Sequence, residues 1–388
     1  MKRIIRLALG AGAVLGLSAW VAPIAASAQG GWGGPPFGYG ANHVVFVQTD
    51  NTAGNQVVAY DRADNGTLAL ANAYNTYGVG GVLDGSVVDH TASQGSLAYD
   101  PDHSLLYAVN AGSYSVSVFS VRGDRLFLDQ VIYSGGTFPV SVAVHGNLVY
   151  VLNALNGGSV QGYVSFFGHL FPLPGSNRNL QLTIPSTSSQ FVSTPGQVAF
   201  SPDGSQLIVT TKASGNSIDV FRVGFFGELS PFPVVNVEPS GTVPFAISFD
   251  AAGHLVIADA GTNAVGTYTL DPDGTVTLLD AVGTGQSATC WVAPAQGYFF
   301  ASSAGSASES GFQENPATGQ LTLLTPATST SGGTVDASAS AGGQFLYVQT
   351  GASGIVDGYQ VNANGSLTPV GSPVTVPDAV GGEGIVAF

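Results

Sequence analysis

Cysteine is nearly absent from these 388 residues: Cys290 is the only one. An internal disulfide is therefore excluded, and the chain must be held by packing alone, with a buried structural thiol as the default role for Cys290. Charge is scarce too, at 9% Asp, Glu, Lys and Arg, and cations scarcer still, with nine Lys or Arg against 24 Asp or Glu. A net charge of −15 repels nucleic acid and anionic membranes at long range, so a nucleic-acid partner is not expected. No window shows a convincing helical period. The 54 glycines argue the same way, because glycine inside a helix costs about 1 kcal/mol.

Long apolar runs are missing except near the start. Lys2, Arg3 and Arg6 precede an apolar stretch from Leu7 to Ala22, followed by Pro23 and by Ala26-Ser27-Ala28. This is the pattern of a secretory signal with a small-residue cleavage site, so residues 1–28 read as a removable leader rather than an anchor. The mature chain is then expected to be secreted or periplasmic, without membrane insertion. It would keep six cations (nine less three) against the 24 acids, a net charge of about −18. Residues 29–42, QGGWGGPPFGYGAN, read as a glycine-rich flexible lead.

What the chain has in abundance is repetition. The stretch SVSVFSVRGDRLFL (Ser115 to Leu128) recurs in outline seven times, marked by Tyr60, Phe119, Tyr163, Phe221, Tyr268, Phe312 and Tyr359 at intervals of 44 to 59 residues. Each aromatic lies in an alternating apolar–polar strand and is followed by a turn glycine: Gly66, Gly123, Gly168, Gly227, Gly274, Gly319 and Gly365. In six copies a further strand pair precedes the aromatic, as in GQVAFSPDGSQLIVTT (Gly196 to Thr211), whose SPDG is turn chemistry. Four antiparallel strands per copy make the unit a propeller blade. The spacing predicts an all-β, seven-bladed propeller over residues 43–388. Its C-terminal GGEGIVAF should supply the innermost strand of the blade opened by HVVFVQTD at His43 to Asp50.

The segments LLYAVNAGSYSVSVF (Leu105 to Phe119), LVYVLNALNGGSVQGY (Leu148 to Tyr163) and VAFSPDGSQLIVTTKASGNSIDVFRV (Val198 to Val223) resemble the lactonase-type seven-bladed propellers. That superfamily includes 6-phosphogluconolactonase-like proteins, carboxymuconate lactonizing enzymes and YVTN-repeat proteins. The resemblance implies a fold and, for some members, lactone chemistry using His, Glu and Arg around the central opening. One fold hosts many functions, and no catalytic residue transfers by motif. Arg62, Arg122, Arg125 and Arg222 all follow strand aromatics, toward the face opposite the one where ligand loops are expected. Only Arg178 and Lys212 could bring positive charge to that expected face.

Strand order assigns the faces. With strands A to D running outward, A–B and C–D turns share a first face; B–C loops and the links between blades share a second. The second face receives Asp50, Asp84, Asp89, His90, Lys212, Asp259 and Glu383, and loops converging there over the opening are the default ligand site. The link LDGSVVDHTASQG (Leu83 to Gly95) sets Asp89 and His90 near Ser93. A nucleophilic triad needs each side chain to reach the next in space, which sequence neighbours rarely do, so loop capping is the competing reading. His90 and Glu383, brought from different blades, make a better base–acid pair. Lys212, the one lysine after the leader, suits an anionic group or pairs with a nearby Asp at the surface.

No cofactor is required by this pattern. Asp50, Asp89, Asp259 and Glu383 could jointly hold Ca²⁺ or Mg²⁺ at the channel mouth, since clustered carboxylates favour a cation. Asp100-Pro101-Asp102 and Asp271-Pro272-Asp273-Gly274 lack a full calcium-loop series and read as turns first. Scattered histidines and one thiol speak against zinc. The long link from Gly175 to Gly196 exceeds the others and is a further functional candidate. These features point to an exported monomer that binds a small molecule, glycan or protein through the second face. The alternative is a hydrolase of neutral or weakly acidic lactones.

Overall fold

A computed structural model of the chain describes residues 43–379 and 381–388; the leader at 1–28 and the glycine-rich lead at 29–42 lie outside the described residues. Seven antiparallel sheets carry the fold. In blade 1 the order from the axis outward is Ile385–Ala387, Val44–Gln48, Gln56–Arg62 and Leu68–Asn75. The C-terminal strand thus completes the blade that the first described strand opens, with Phe46 opposite Val386. Blades 2 to 7 follow in sequence, their inner strands being Leu97–Asp100, Pro139–His145, Pro195–Phe200, Pro244–Phe249, Thr289–Ala295 and Thr334–Ala339. Each inner strand packs against the next, and that of blade 7 against that of blade 1, which closes the ring. Among the described residues the only helix is the single turn Gln190–Ser193, and no helix is long and apolar enough to cross a membrane.

The repeat marks the packing between blades. All seven aromatics lie on third strands and are buried. All seven turn glycines have positive φ, the conformation that admits glycine at no steric cost. Gly66 shows a second reason for the choice, since a Cβ there would stand 2.4 Å from the Phe345 ring of blade 7. Its carbonyl accepts the Tyr347 hydroxyl at 2.8 Å, and Gly227 accepts Tyr150 of blade 3 at 2.7 Å in the same way. Alternation holds on second strands only in part. Leu105–Asn110 and Phe345–Thr350 are buried along their whole length because both faces of a middle strand meet neighbouring blades.

Candidate functional site

The link between blades 1 and 2 does not stay on the rim. Ser93 donates through Oγ to the Val140 carbonyl of blade 3 at 2.9 Å, while its own carbonyl accepts the Trp291 indole N–H of blade 6 at 2.7 Å. Gln94 exchanges two side-chain hydrogen bonds with the Val292 backbone, at 3.0 and 3.1 Å, and donates its main-chain N–H to Gly196 of blade 4. The Gly95 carbonyl accepts the Val142 N–H of blade 3. Blades 3 and 6 stand on opposite sides of a seven-membered ring, so Ser93-Gln94-Gly95 must cross the axis. The link is a plug.

Buried polar groups follow that plug. Asp89 is 4% exposed and caps its own loop: its Oδ1 accepts the Thr91 N–H and hydroxyl, both at 2.8 Å, and the Ala92 N–H at 2.9 Å, and its Oδ2 accepts the Ser93 N–H at 2.9 Å. Burial raises its pKa against the pull of those donors and of Lys212. Lys212, on the B–C loop of blade 4, is buried where the sequence alone allowed a surface lysine. Its ammonium donates to the Ala92 carbonyl and lies 5.1 Å from the Phe245 ring centroid. Burial drives its pKa down, opposed by Asp89 and by the Cys290 thiol, itself pushed up to about 12 by burial. Asp50, fully buried with φ +50, takes the Gly81 N–H on Oδ1 at 3.3 Å and leaves Oδ2 unpartnered; burial and then Asp89 hold it protonated well above the usual carboxylate range.

Glu383 is buried as well. Its Oε1 accepts the Gly95 N–H at 2.8 Å, and its Oε2 takes the Ser96 N–H at 3.3 Å and the Ser93 hydroxyl at 3.4 Å. Beside it lies Asp336, which sequence reasoning missed although a carboxylate inside an inner strand, TVDASA, was a signal that could have found it. Burial raises both acids, Asp336 to about 7, and the like charges of Asp336 and Asp89 raise Glu383 further. His90 is half-buried, donating its main-chain N–H to the Gly381 carbonyl at 2.9 Å. Its ring lies so close to Gly381 that a Cβ there would meet it at 2.2 Å; Nδ1 has no partner, and burial lowers the ring's pKa.

Asp259 stands apart from this group. Its carboxylate accepts the Tyr268 hydroxyl at 3.1 Å near Glu238, and burial raises it to about 8. Among the described residues, no set of three ligating side chains at metal-like spacing includes Asp50, Asp89, Asp259 or Glu383. Arg178 is committed to main-chain carbonyls, donating to Ser230 at 2.8 Å, Gly175 at 2.7 Å and Leu229 at 2.5 Å. The long Gly175–Gly196 link buttresses the plug, with Gln190 Oε1 accepting the Asp84 N–H at 3.0 Å. What the axis offers chemically is a dense polar network whose acids are closed to solvent.

An open cavity lies on the first face, between blades 1 and 2. It measures about 610 Å³ and is lined by His43, Asp61, Arg62, Arg122, Arg125 and Phe127, among others. The Arg122 guanidinium lies 5.2 Å from the Phe127 ring centroid, a cation–π contact between two lining residues.

No family model matches the chain, and no curated protein matches it in sequence. Solved structures share its fold. A Bacteroides fragilis protein provisionally named a 6-phosphogluconolactonase is 16% identical, with a TM-score of 0.69 over 90% of this chain and 99% of that one. The Pseudomonas aeruginosa periplasmic gluconolactonase PpgL is 18% identical, with a TM-score of 0.69 over 88% of this chain and 98% of that one. A protein from Lactobacillus plantarum is 18% identical, with a TM-score of 0.68 over 89% and 98%. The chain thus shares the seven-bladed propeller fold of these structures.

Proposed function

We propose that the chain is an exported, monomeric ligand-binding propeller of lactonase-like fold, and that it takes a small anionic ligand in the cavity between blades 1 and 2. One observation carries the reading: Ser93-Gln94-Gly95 crosses the axis, and Glu383, Asp89, Asp50 and Lys212 are buried around it. A general acid or base must reach its substrate, and these groups are closed off. The open cavity instead gathers Arg62, Arg122 and Arg125, a third of the nine cations, against the carboxylates of Asp61 and Asp124, a net positive lining within a chain of net charge −15. Guanidinium groups hold carboxylate or phosphate by paired hydrogen bonds. Export is supported by the leader pattern at residues 1–28 and by the periplasmic description of PpgL.

The test is calorimetric titration of the mature protein with sugar acids and sugar phosphates. Saturable binding that Arg122→Ala and Arg125→Ala weaken at least tenfold supports the reading. No binding by any anion, or binding unchanged in both variants, overturns it.

Lactone hydrolysis is the second reading, favoured by the buried Glu383–Asp336 pair, whose pKa values burial raises. It requires the plug to move. Turnover of a neutral or acidic lactone that Glu383→Gln abolishes would establish it over the binding reading.

A further inference from the structure

A second group of ionisable side chains lies between blades 5 and 6, on the first face and away from the axis. Asp250 follows the inner strand of blade 5, His254 closes the turn it opens, and Glu314 comes from the third strand of blade 6, Ser308–Asn315. The Asp250 and Glu314 side chains are each 2% exposed and that of His254 20%. Asp250 is pre-oriented. Its Oδ1 accepts the N–H groups of Ala252 at 2.9 Å and His254 at 2.7 Å, which directs Oδ2 to the imidazole Nδ1 at 2.7 Å. Glu314 Oε1 faces the same nitrogen at 3.9 Å, is buried, and has no hydrogen-bond partner.

We propose that Asp250, His254 and Glu314 form a binding site for a first-row divalent cation of the zinc type, which braces blade 5 to blade 6. The ligand atoms lie within 4.8 Å of one another, and the separations of 2.7 and 3.9 Å bracket the roughly 3.3–3.4 Å between neighbouring ligands around tetrahedral zinc with bonds of about 2.0–2.1 Å. Two carboxylates neutralise the cation, and the unpartnered Glu314 oxygen gains the partner it lacks. An imidazole among the ligands selects against Ca²⁺ and Mg²⁺, and one nitrogen with two carboxylates leaves too few oxygens for the six to eight that calcium takes. The part-exposed His254 edge admits the ion and a water as fourth ligand. Scattered histidines argued against zinc in the sequence; here a single histidine suffices because one carboxylate comes from its own turn and the other from the neighbouring blade.

The experiment is titration of chelator-treated protein with Zn²⁺, read by calorimetry and by the melting temperature, with Ca²⁺ in parallel. The result expected is one saturable zinc site, a rise in melting temperature with zinc, and no saturable calcium binding. Glu314→Gln, close to isosteric, should weaken zinc at least tenfold and remove the melting shift. His103→Ala serves as control, since His103 Nδ1 meets Asp100 at 2.8 Å in a similar turn, without belonging to any three-ligand group; this variant should bind like wild type. If Glu314→Gln does not fold, His254→Gln replaces it. Absence of a saturable zinc site in the wild type, or zinc binding unaltered in the blade 5–6 variants, overturns the proposal.

Discussion

The Tyr60 hydroxyl donates a 2.7 Å hydrogen bond to the Thr375 carbonyl, 315 positions away, tying the third strand of blade 1 to the outermost segment of blade 7. Tyr163 and Tyr359 make the same bond to the preceding blade, at Tyr133 and Ser329. Phe119, Phe221 and Phe312 fill the equivalent positions in the even-numbered blades, so the aromatic ring is the common requirement and the hydroxyl an added tie. Tyr60→Phe should therefore fold and lose about 1 kcal/mol, the net worth of one such bond. Thermal melting of the two proteins checks this, and an unchanged melting temperature would deny the tie its role.

Closure of the ring rests on very little chain. Ile385–Ala387 pairs with Val45–Val47, Phe388 stacks on Tyr99 of blade 2 with ring centroids 4.2 Å apart, and the Ser96 hydroxyl donates to the Glu383 carbonyl at 2.5 Å. Deleting 384–388 exposes the edge of Val44–Gln48 and uncovers that part of the core. The truncated protein should aggregate or melt many degrees lower, measured by light scattering during a thermal ramp. A truncated form that melts with the full chain would contradict the closure.

These two features were legible in advance, the axial site much less so. Blade number, the seven positive-φ turn glycines and the shared blade follow from alternation and turn chemistry, which act within a few residues. The path of LDGSVVDHTASQG was not legible. Whether Asp89 caps its own loop or faces a substrate depends on where the link runs between blades, and blades 3 and 6 meet it far away in sequence. The burial of Lys212 and the neighbourhood of Glu383 and Asp336 depend on the same path. The Asp250–His254–Glu314 group was hidden for a related reason: its third member lies 60 positions from its second, on another blade.

Asp89→Ala should unfold the plug rather than weaken one contact. It removes the acceptor of four hydrogen bonds and the carboxylate whose charge supports the buried Lys212 ammonium, and each buried donor left without a partner costs about 1–3 kcal/mol. Pairing it with Lys212→Met should recover part of that loss, since the orphaned charge is gone. Denaturant melts of both single variants and the double variant give the coupling; strictly additive losses would show that the two charges do not sense each other.

Stability should fall as pH rises from about 4 to about 8. Burial lifts Asp259 from 3.8 and Glu309 from 4.5 to about 8, and Asp219 from 3.8 to about 6. A carboxyl whose folded pKa exceeds its unfolded value binds its proton more tightly when folded. Its stabilising contribution is complete below the unfolded pKa and is lost as pH climbs through the folded one. Inside its window each such group lowers stability by up to about 1.4 kcal/mol per pH unit. His90 and Lys212 work the other way, since burial lowers both pKa values and stability returns as they deprotonate, Lys212 only above about 7. Over most of the range these two are outweighed by three carboxyls. The measurement is melting temperature against pH at fixed ionic strength, with Asp259→Asn beside the wild type. The amide can keep the Tyr268 hydroxyl bond but cannot ionise, so its curve should descend less steeply. A wild-type curve that rises over this range would refute the buried protonated acids, and identical slopes in the two proteins would remove Asp259 from among them.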